Sequence, residues 1–244
     1  NTGGELVLNG TNITENKAYE STDQIYSTVN ESVTPVTWSD PQPRVGDTDT
    51  KNTGLGGGIL IDSGSCRMNS GELSSNYADL GGGAIGLVMI NMASRDYFDD
   101  IKVAEFILNE GQVSRNKAGN NEKVGNGAAI YLMKSKAREA WDQIAQSDQN
   151  TIINNMTQAG VNAILDGIPT ITINGGSISG NTATGNGGGT YQQEKTAFIV
   201  SAEKKADLLE NTAGLSGGAV YIEKGTFTVN GIANIKKNVA SEGD

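Results

Sequence analysis

Residues 171–189 read "ITINGGSISGNTATGNGGG", an uncharged run dominated by glycine, asparagine, serine, threonine and isoleucine. Laid over the rest of the chain, its first part recurs. "LVLNGTNITENKA" (6–18), "CRMNSGELSSNYA" (66–78) and "FILNEGQVSRNKA" (106–118) align with "ITINGGSISGNTA" (171–183) without a gap. The common form is apolar-x-apolar-Asn-x-x-x-apolar-x-x-Asn-x-Ala. Two looser copies follow, "DLLENTA" (207–213) and "FTVNGIANIKKNVA" (227–240). A glycine cluster and a third apolar stretch trail each copy but the last: "GGGILI" (56–61), "GGGAIGL" (81–87), "GNGAAIYL" (125–132), "GGGTYQ" (187–192) and "GGAVYI" (217–222).

Each unit therefore reads as three short strands with period-two alternation, separated by turn residues. The spacing between equivalent asparagines falls to 30 residues (Asn181 to Asn211) and 27 residues (Asn211 to Asn238). A unit this short cannot bury its own apolar face, whereas stacked copies share one continuous core. The expected fold is all-β: a single domain over 1–244, built as a right-handed single-stranded parallel β-helix, a pectate-lyase-like solenoid of about six coils. Asn16, Asn76, Asn116, Asn181, Asn211 and Asn238 are expected to stack at one corner as an amide ladder. Ala18, Ala78, Ala118, Ala183, Ala213 and Ala240 would fill a tight inward corner. The glycine clusters supply positive φ and close approach between turns. A phosphate-binding loop is the competing reading, but no "GK[ST]" follows and each cluster leads into a strand.

Composition narrows the function classes. Glycine is 33 of 244 residues and asparagine 25, while prolines number four. That mixture suits tight turns between short strands and does not suit collagen. A net charge of −10 argues against a nucleic-acid binder, because neutralising phosphates needs a basic face. No apolar run is long enough to span a membrane. The opening "NTGGELVLNG" has no signal-peptide pattern, so a leader is expected to have been removed or the segment excised from a longer chain. One cysteine, Cys66, excludes an internal disulfide framework and sits at an apolar strand position. There is no histidine, the commonest general base and zinc ligand. No cofactor is expected.

On these residues the chain shows a resemblance. "GGAI" (82–85), "GGAV" (217–220) and "FILN" (106–109) resemble the GGA[ILV] and FxxN repeats of chlamydial polymorphic outer-membrane proteins. "SISGNTATGNGGG" (177–189) is similar to right-handed β-helix repeats in large surface adhesins of gut bacteria and archaea. The resemblance covers the coils and implies a surface-displayed, adhesin-like β-helix that is extracellular. It carries over no binding residues.

Function in a solenoid usually lies in its insertions, since the coil interior is committed to packing. Three stand out: 20–53, a loop containing "SDPQPRVGDTDT"; 89–105, the loop "MINMASRDYFDDIKVAE"; and 134–170. The last two occupy the same junction in successive coils and should project side by side. In 134–170 the apolar residues Ala137, Ala140, Trp141, Ile144 and Ala145 share one helical face, and a second helical stretch should stop at Gly160. A helical hairpin is expected there. Trp141 reads either as its packing anchor or as part of a partner surface. Arg95, Asp96, Tyr97 and Phe98, with Asp99 and Asp100, form the densest candidate contact cluster; its bland reading is a solvated loop tip. Calcium could use the aspartates of that cluster or of "DTDT" (47–50), although the latter lacks the glycine-centred spacing of an EF-hand loop.

A glycosidase on this fold would need two carboxylates at a defined separation across a groove. The strand-associated acids Asp62, Glu105 and Glu223 do not repeat in register, so an enzyme is not expected. The preferred expectation is an adhesin-type binding module whose inserted loops recognise a host protein or glycan. A structural stalk or spacer is the alternative, with a polysaccharide-degrading enzyme behind it. The terminal coils show no polar cap, so the segment is expected to continue in a longer chain or to stack on partners.

Overall fold

The computed structural model describes residues 4–19, 54–89, 102–142, 144–202 and 204–242. Strands form where the repeat alternates apolar and polar residues, because alternate side chains leave opposite faces of an extended chain. They assemble into parallel sheets of ten, five and six strands, each strand pairing with its counterparts in the repeats before and after. The six-stranded sheet consists of the dipeptides that follow the recurring asparagine, from Lys17–Ala18 to Val239–Ala240. The chain is thus a parallel-strand β solenoid of six turns.

Register is kept residue by residue. Leu6 pairs with Cys66, Cys66 with Phe106, Phe106 with Ile171, Ile171 with Phe198 and Phe198 with Phe227. On the third strand the column runs Ile59, Ile85, Ile130, Thr190, Val220. A one-residue slip would turn every one of these side chains outward, so burial itself fixes the register. The inward residues join in one cluster with Met68, Leu73, Leu108, Val113, Ile173, Val200 and Leu208. Cys66 lies wholly inside it, and burial pushes its thiol up to about 12. That makes it an inert core residue.

The two outer faces of the ten-stranded sheet merge for a local reason. Glu5–Thr14 and Ser65–Ser74 run through both faces without a break, while the third turn divides into Glu105–Leu108 and Gln112–Ser114. The glycine clusters do what their residue type allows. Gly187 has φ +70°, and a Cβ on Gly188 would come within 2.5 Å of the Gly218 carbonyl oxygen, so no larger residue fits between those turns.

The insertion at 134–170 folds into three helices and not into the expected hairpin: α1 (Ala137–Trp141), α2 (Gln146–Met156) and α3 (Gln158–Leu165). Gly160 lies inside α3. Thr157, at φ +75°, ends α2 and caps α3 by accepting a hydrogen bond from the Gly160 N–H at 3.3 Å. A threonine N-cap has here outweighed the helix-stopping tendency of the glycine. Ile152, Val161, Ile164 and Leu165 pack the helices onto the solenoid core. Among the described residues no helix is long and apolar enough to cross a membrane.

Candidate functional site

Two ranks of asparagine run along the solenoid. The first joins Asn16, Asn76, Asn116, Asn181, Asn211 and Asn238. Each Nδ2 donates to the Oδ1 of the next rung, at 3.0, 3.0, 3.0, 2.8 and 2.9 Å in order. The same oxygen accepts the preceding asparagine's main-chain N–H. The remaining amide hydrogen reaches a carbonyl in the previous turn, as from Asn181 to Val113 at 3.0 Å. Asn116, Asn181 and Asn211 are fully buried, and their amides are saturated with partners. The buried rungs of this rank are a scaffold with nothing left to offer a ligand.

The second rank uses the asparagine that closes each first strand, a position the repeat shows just as plainly. Asn69 Nδ2 donates to Asn9 Oδ1 at 2.8 Å, Asn109 to Asn69 at 2.7 Å and Asn174 to Asn109 at 2.8 Å. These side chains point outward and are half-buried, Asn9 being exposed. Each bond uses one N–H and one oxygen lone pair of an amide that has two of each. At Ser201 the rank breaks, since a hydroxymethyl cannot reach the Asn174 amide. Among the described residues the Asn174 oxygen has no donor.

The break opens a surface depression of about 610 Å³ lined by Asn69, Asn109, Glu110, Asn174, Ser201 and Lys204. Glu110 and Lys204 form an ion pair at its edge, which holds the lysine ammonium above its usual range. The floor is therefore neutral, with donors and acceptors in equal supply, and the rim carries one fixed charge pair. Chemically, each such amide can give and accept one further hydrogen bond at once.

The residues singled out from sequence fall elsewhere. Arg95, Asp96, Tyr97 and Phe98, the aspartates of 96–100 and of "DTDT", and the whole 20–53 loop lie outside the described residues. Trp141 closes α1, is 9% exposed and packs in the main core cluster, so its ring holds the helices to the solenoid. Among the described residues no group of three or more His, Cys, Asp or Glu side chains is placed to hold a metal. Asp62 pairs with Val88, and Met133, Gln193 and Glu223 continue that column, each donating its main-chain N–H to the turn before. Four turns separate Asp62 from Glu223, roughly 19 Å at the spacing of paired strands. Glycosidase carboxylates stand about 5–10 Å apart.

Sequence reasoning passed over one aromatic feature. Tyr131, Tyr191 and Tyr221 stack face to face on the outside of the third strands, with centroids 5.1 and 5.3 Å apart and planes within 9° and 8°. Burial raises the Tyr131 phenol to about 12. Tyr191 is stacked on both faces and Tyr131 and Tyr221 on one, so the column works as cross-strand packing. Near it, Asp79 is buried, accepts from Tyr77 at 2.6 Å and pairs with Lys123 at 2.7 Å, pinning the 119–125 turn.

In comparison with known proteins, no family, curated protein or solved structure matches this chain.

Proposed function

We propose that the chain is a non-enzymatic binding module of a microbial surface protein, built as a right-handed parallel β-helix, that holds a neutral glycan against the outer asparagine rank. The hand follows from strand physics: parallel strands joined by crossovers are right-handed in nearly every known case. The carrying observation is the half-used amides of Asn69, Asn109 and Asn174 on the floor of a depression beside the Glu110–Lys204 pair. Carbohydrate hydroxyls both donate and accept, so they complement such amides without any charge. A rigid scaffold lowers the ordering cost of binding, since the rank is set in register before the ligand arrives.

A spacer is the second reading, and the burial of Trp141 favours it: the one aromatic of 134–170 anchors the insertion and presents no contact face. One experiment separates the two. The purified chain is passed over immobilised neutral polysaccharides (β-glucan, xylan and mannan), followed by calorimetry on any that retain it. Retention by at least one, with affinity reduced about tenfold or more by N109A/N174A, is expected if each lost hydrogen bond counts at the usual size. Passage through all three columns, or full affinity in the double variant, would reject the glycan site; passage through all three leaves the spacer.

A further inference from the structure

Three Asn-Gly dipeptides lie in the inner turns of the solenoid, at Asn126, Asn174 and Asn186. Glycine has no side chain to shield its main-chain nitrogen, so that nitrogen can reach the amide carbon of the asparagine before it. The fold treats the three pairs differently. Gly127 gives its N–H to the Asn186 carbonyl at 2.9 Å, and Asn126 Oδ1 accepts the Asn186 N–H at 2.7 Å. Gly187 gives its N–H to the Ser216 carbonyl at 2.9 Å, and Asn186 Oδ1 accepts the Ser216 N–H at 3.1 Å. In both pairs the next turn holds the glycine nitrogen and the asparagine amide together.

At Asn174 neither group is held by the next turn. Among the described residues the Gly175 N–H has no acceptor and Asn174 Oδ1 has no donor. One bond ties the side chain, from its Nδ2 to Asn109 Oδ1 at 2.8 Å. Burial does not separate the three pairs, since each asparagine is half-buried and the glycine after it is buried. The amide oxygen is left open by the break in the outer rank, where Ser201 follows in the column that an asparagine fills elsewhere.

We propose that Asn174 is a site of spontaneous deamidation. The Gly175 nitrogen gives up its proton to hydroxide and attacks Asn174 Cγ. The bond from Cγ to the side-chain nitrogen breaks, ammonia leaves, and a cyclic succinimide closes. Water then opens the ring at either carbonyl, leaving aspartate, or isoaspartate with the main chain running through the former side chain. Water is consumed and ammonia released, with no change of oxidation state. The product alters the depression. A carboxylate has no N–H to give Asn109 Oδ1, so two oxygens meet where a hydrogen bond stood, and a new negative charge joins Glu110 and Lys204 in the lining. Isoaspartate also lengthens the main chain between Thr170–Ile173 and Gly176–Ser179, strands held in register by the turns on both sides. The neutral floor is one that the chain itself converts with age.

Peptide mass spectrometry tests this on the full chain, aged at mildly alkaline pH in native buffer and, in parallel, in denaturant. The mass gain of an amide-to-acid exchange is expected at Asn174 about tenfold or more faster than at Asn126 or Asn186 in the native chain. Those two must first open locally, breaking two hydrogen bonds of the usual size. In denaturant the three rates should converge, since the dipeptide is the same and the fold no longer distinguishes them. Chromatography of the aged peptide should resolve both aspartate and isoaspartate at position 174. A native rate at Asn174 no greater than at the other two overturns the proposal. So do rates that stay equally far apart in denaturant, which would assign the difference to flanking sequence and not to the free groups at Asn174.

Discussion

The two asparagine ranks are the same side chain at two positions of one repeat, and they do opposite things. In the four middle rungs of the inner rank the amide is buried and its hydrogens and oxygen are engaged, as for Asn181 with Val113, Asn116 and Asn211. In the outer rank one donor and one acceptor per amide face solvent. Burial decides which role is open. An inward amide must be saturated, because an unpartnered buried polar group costs about 1–3 kcal/mol. An outward amide has water to complete it and can exchange that water for a ligand.

The contrast predicts unequal losses on truncation. N181A removes the acceptor of the Asn116 N–H and of one Asn116 Nδ2 hydrogen, and takes one donor each from the Val113 carbonyl and the Asn211 oxygen, the latter keeping the main-chain N–H of residue 181. Leaving these buried groups short gives a destabilisation of about 3 kcal/mol. N109A leaves only solvent-accessible groups behind and should cost about 0.5 kcal/mol, within the range of ordinary surface changes. Denaturant midpoints at unchanged slope measure both. Equal effects would break the distinction between scaffold and site.

A third amide tests the rule from the other side. Gln192 occupies a column otherwise held by Ile61, Leu87, Leu132 and Ile222. It is fully buried, its Nε2 reaches the Thr226 carbonyl at 3.4 Å, and its Oε1 has no partner among the described residues. Here saturation has failed. Q192L should therefore stabilise the fold by about 1 kcal/mol, exchanging an orphaned oxygen for the side chain its neighbours carry. A fall in the melting midpoint would show that the amide has a partner of its own, such as a buried water.

The inner rank, the paired alanines and the turn-by-turn stacking were legible in the sequence, because four gapless copies hold those residues in fixed register. The depression was not. The outer asparagine is equally regular, but what opens a site there is a departure from the repeat, Ser201 and Lys204 in a copy lengthened after "FIV". A pattern search scores that departure as noise. The helical stripe of 134–170 was visible, yet its division into three helices turned on Thr157, whose capping bond depends on a backbone angle that periodicity does not report. The tyrosine column went unread because its members occupy positions held elsewhere by Leu60 and Gly86.

The smallest expected effect concerns the backbone beneath the two ranks. The residue before every inner asparagine is left-handed: Glu15, Ser75, Arg115, Gly180, Glu210 and Lys237 have φ between 55° and 62°. None of Leu8, Met68, Leu108 or Ile173, which precede the outer asparagines, has a positive φ. The corner that aims an amide inward is thus built on a conformation that costs a residue with a Cβ about 1 kcal/mol, and only Gly180 escapes it. The ladder bonds outweigh that strain in each turn. Ser75 is exposed, so S75G should relieve the strain without removing a buried contact. Against the extra freedom of glycine in the unfolded chain, a net gain of about 0.5 kcal/mol is expected, read as a small rise in the denaturant midpoint. A glycine placed instead at Ile107, on an extended strand before the outer rank, has no strain to relieve and should lower it.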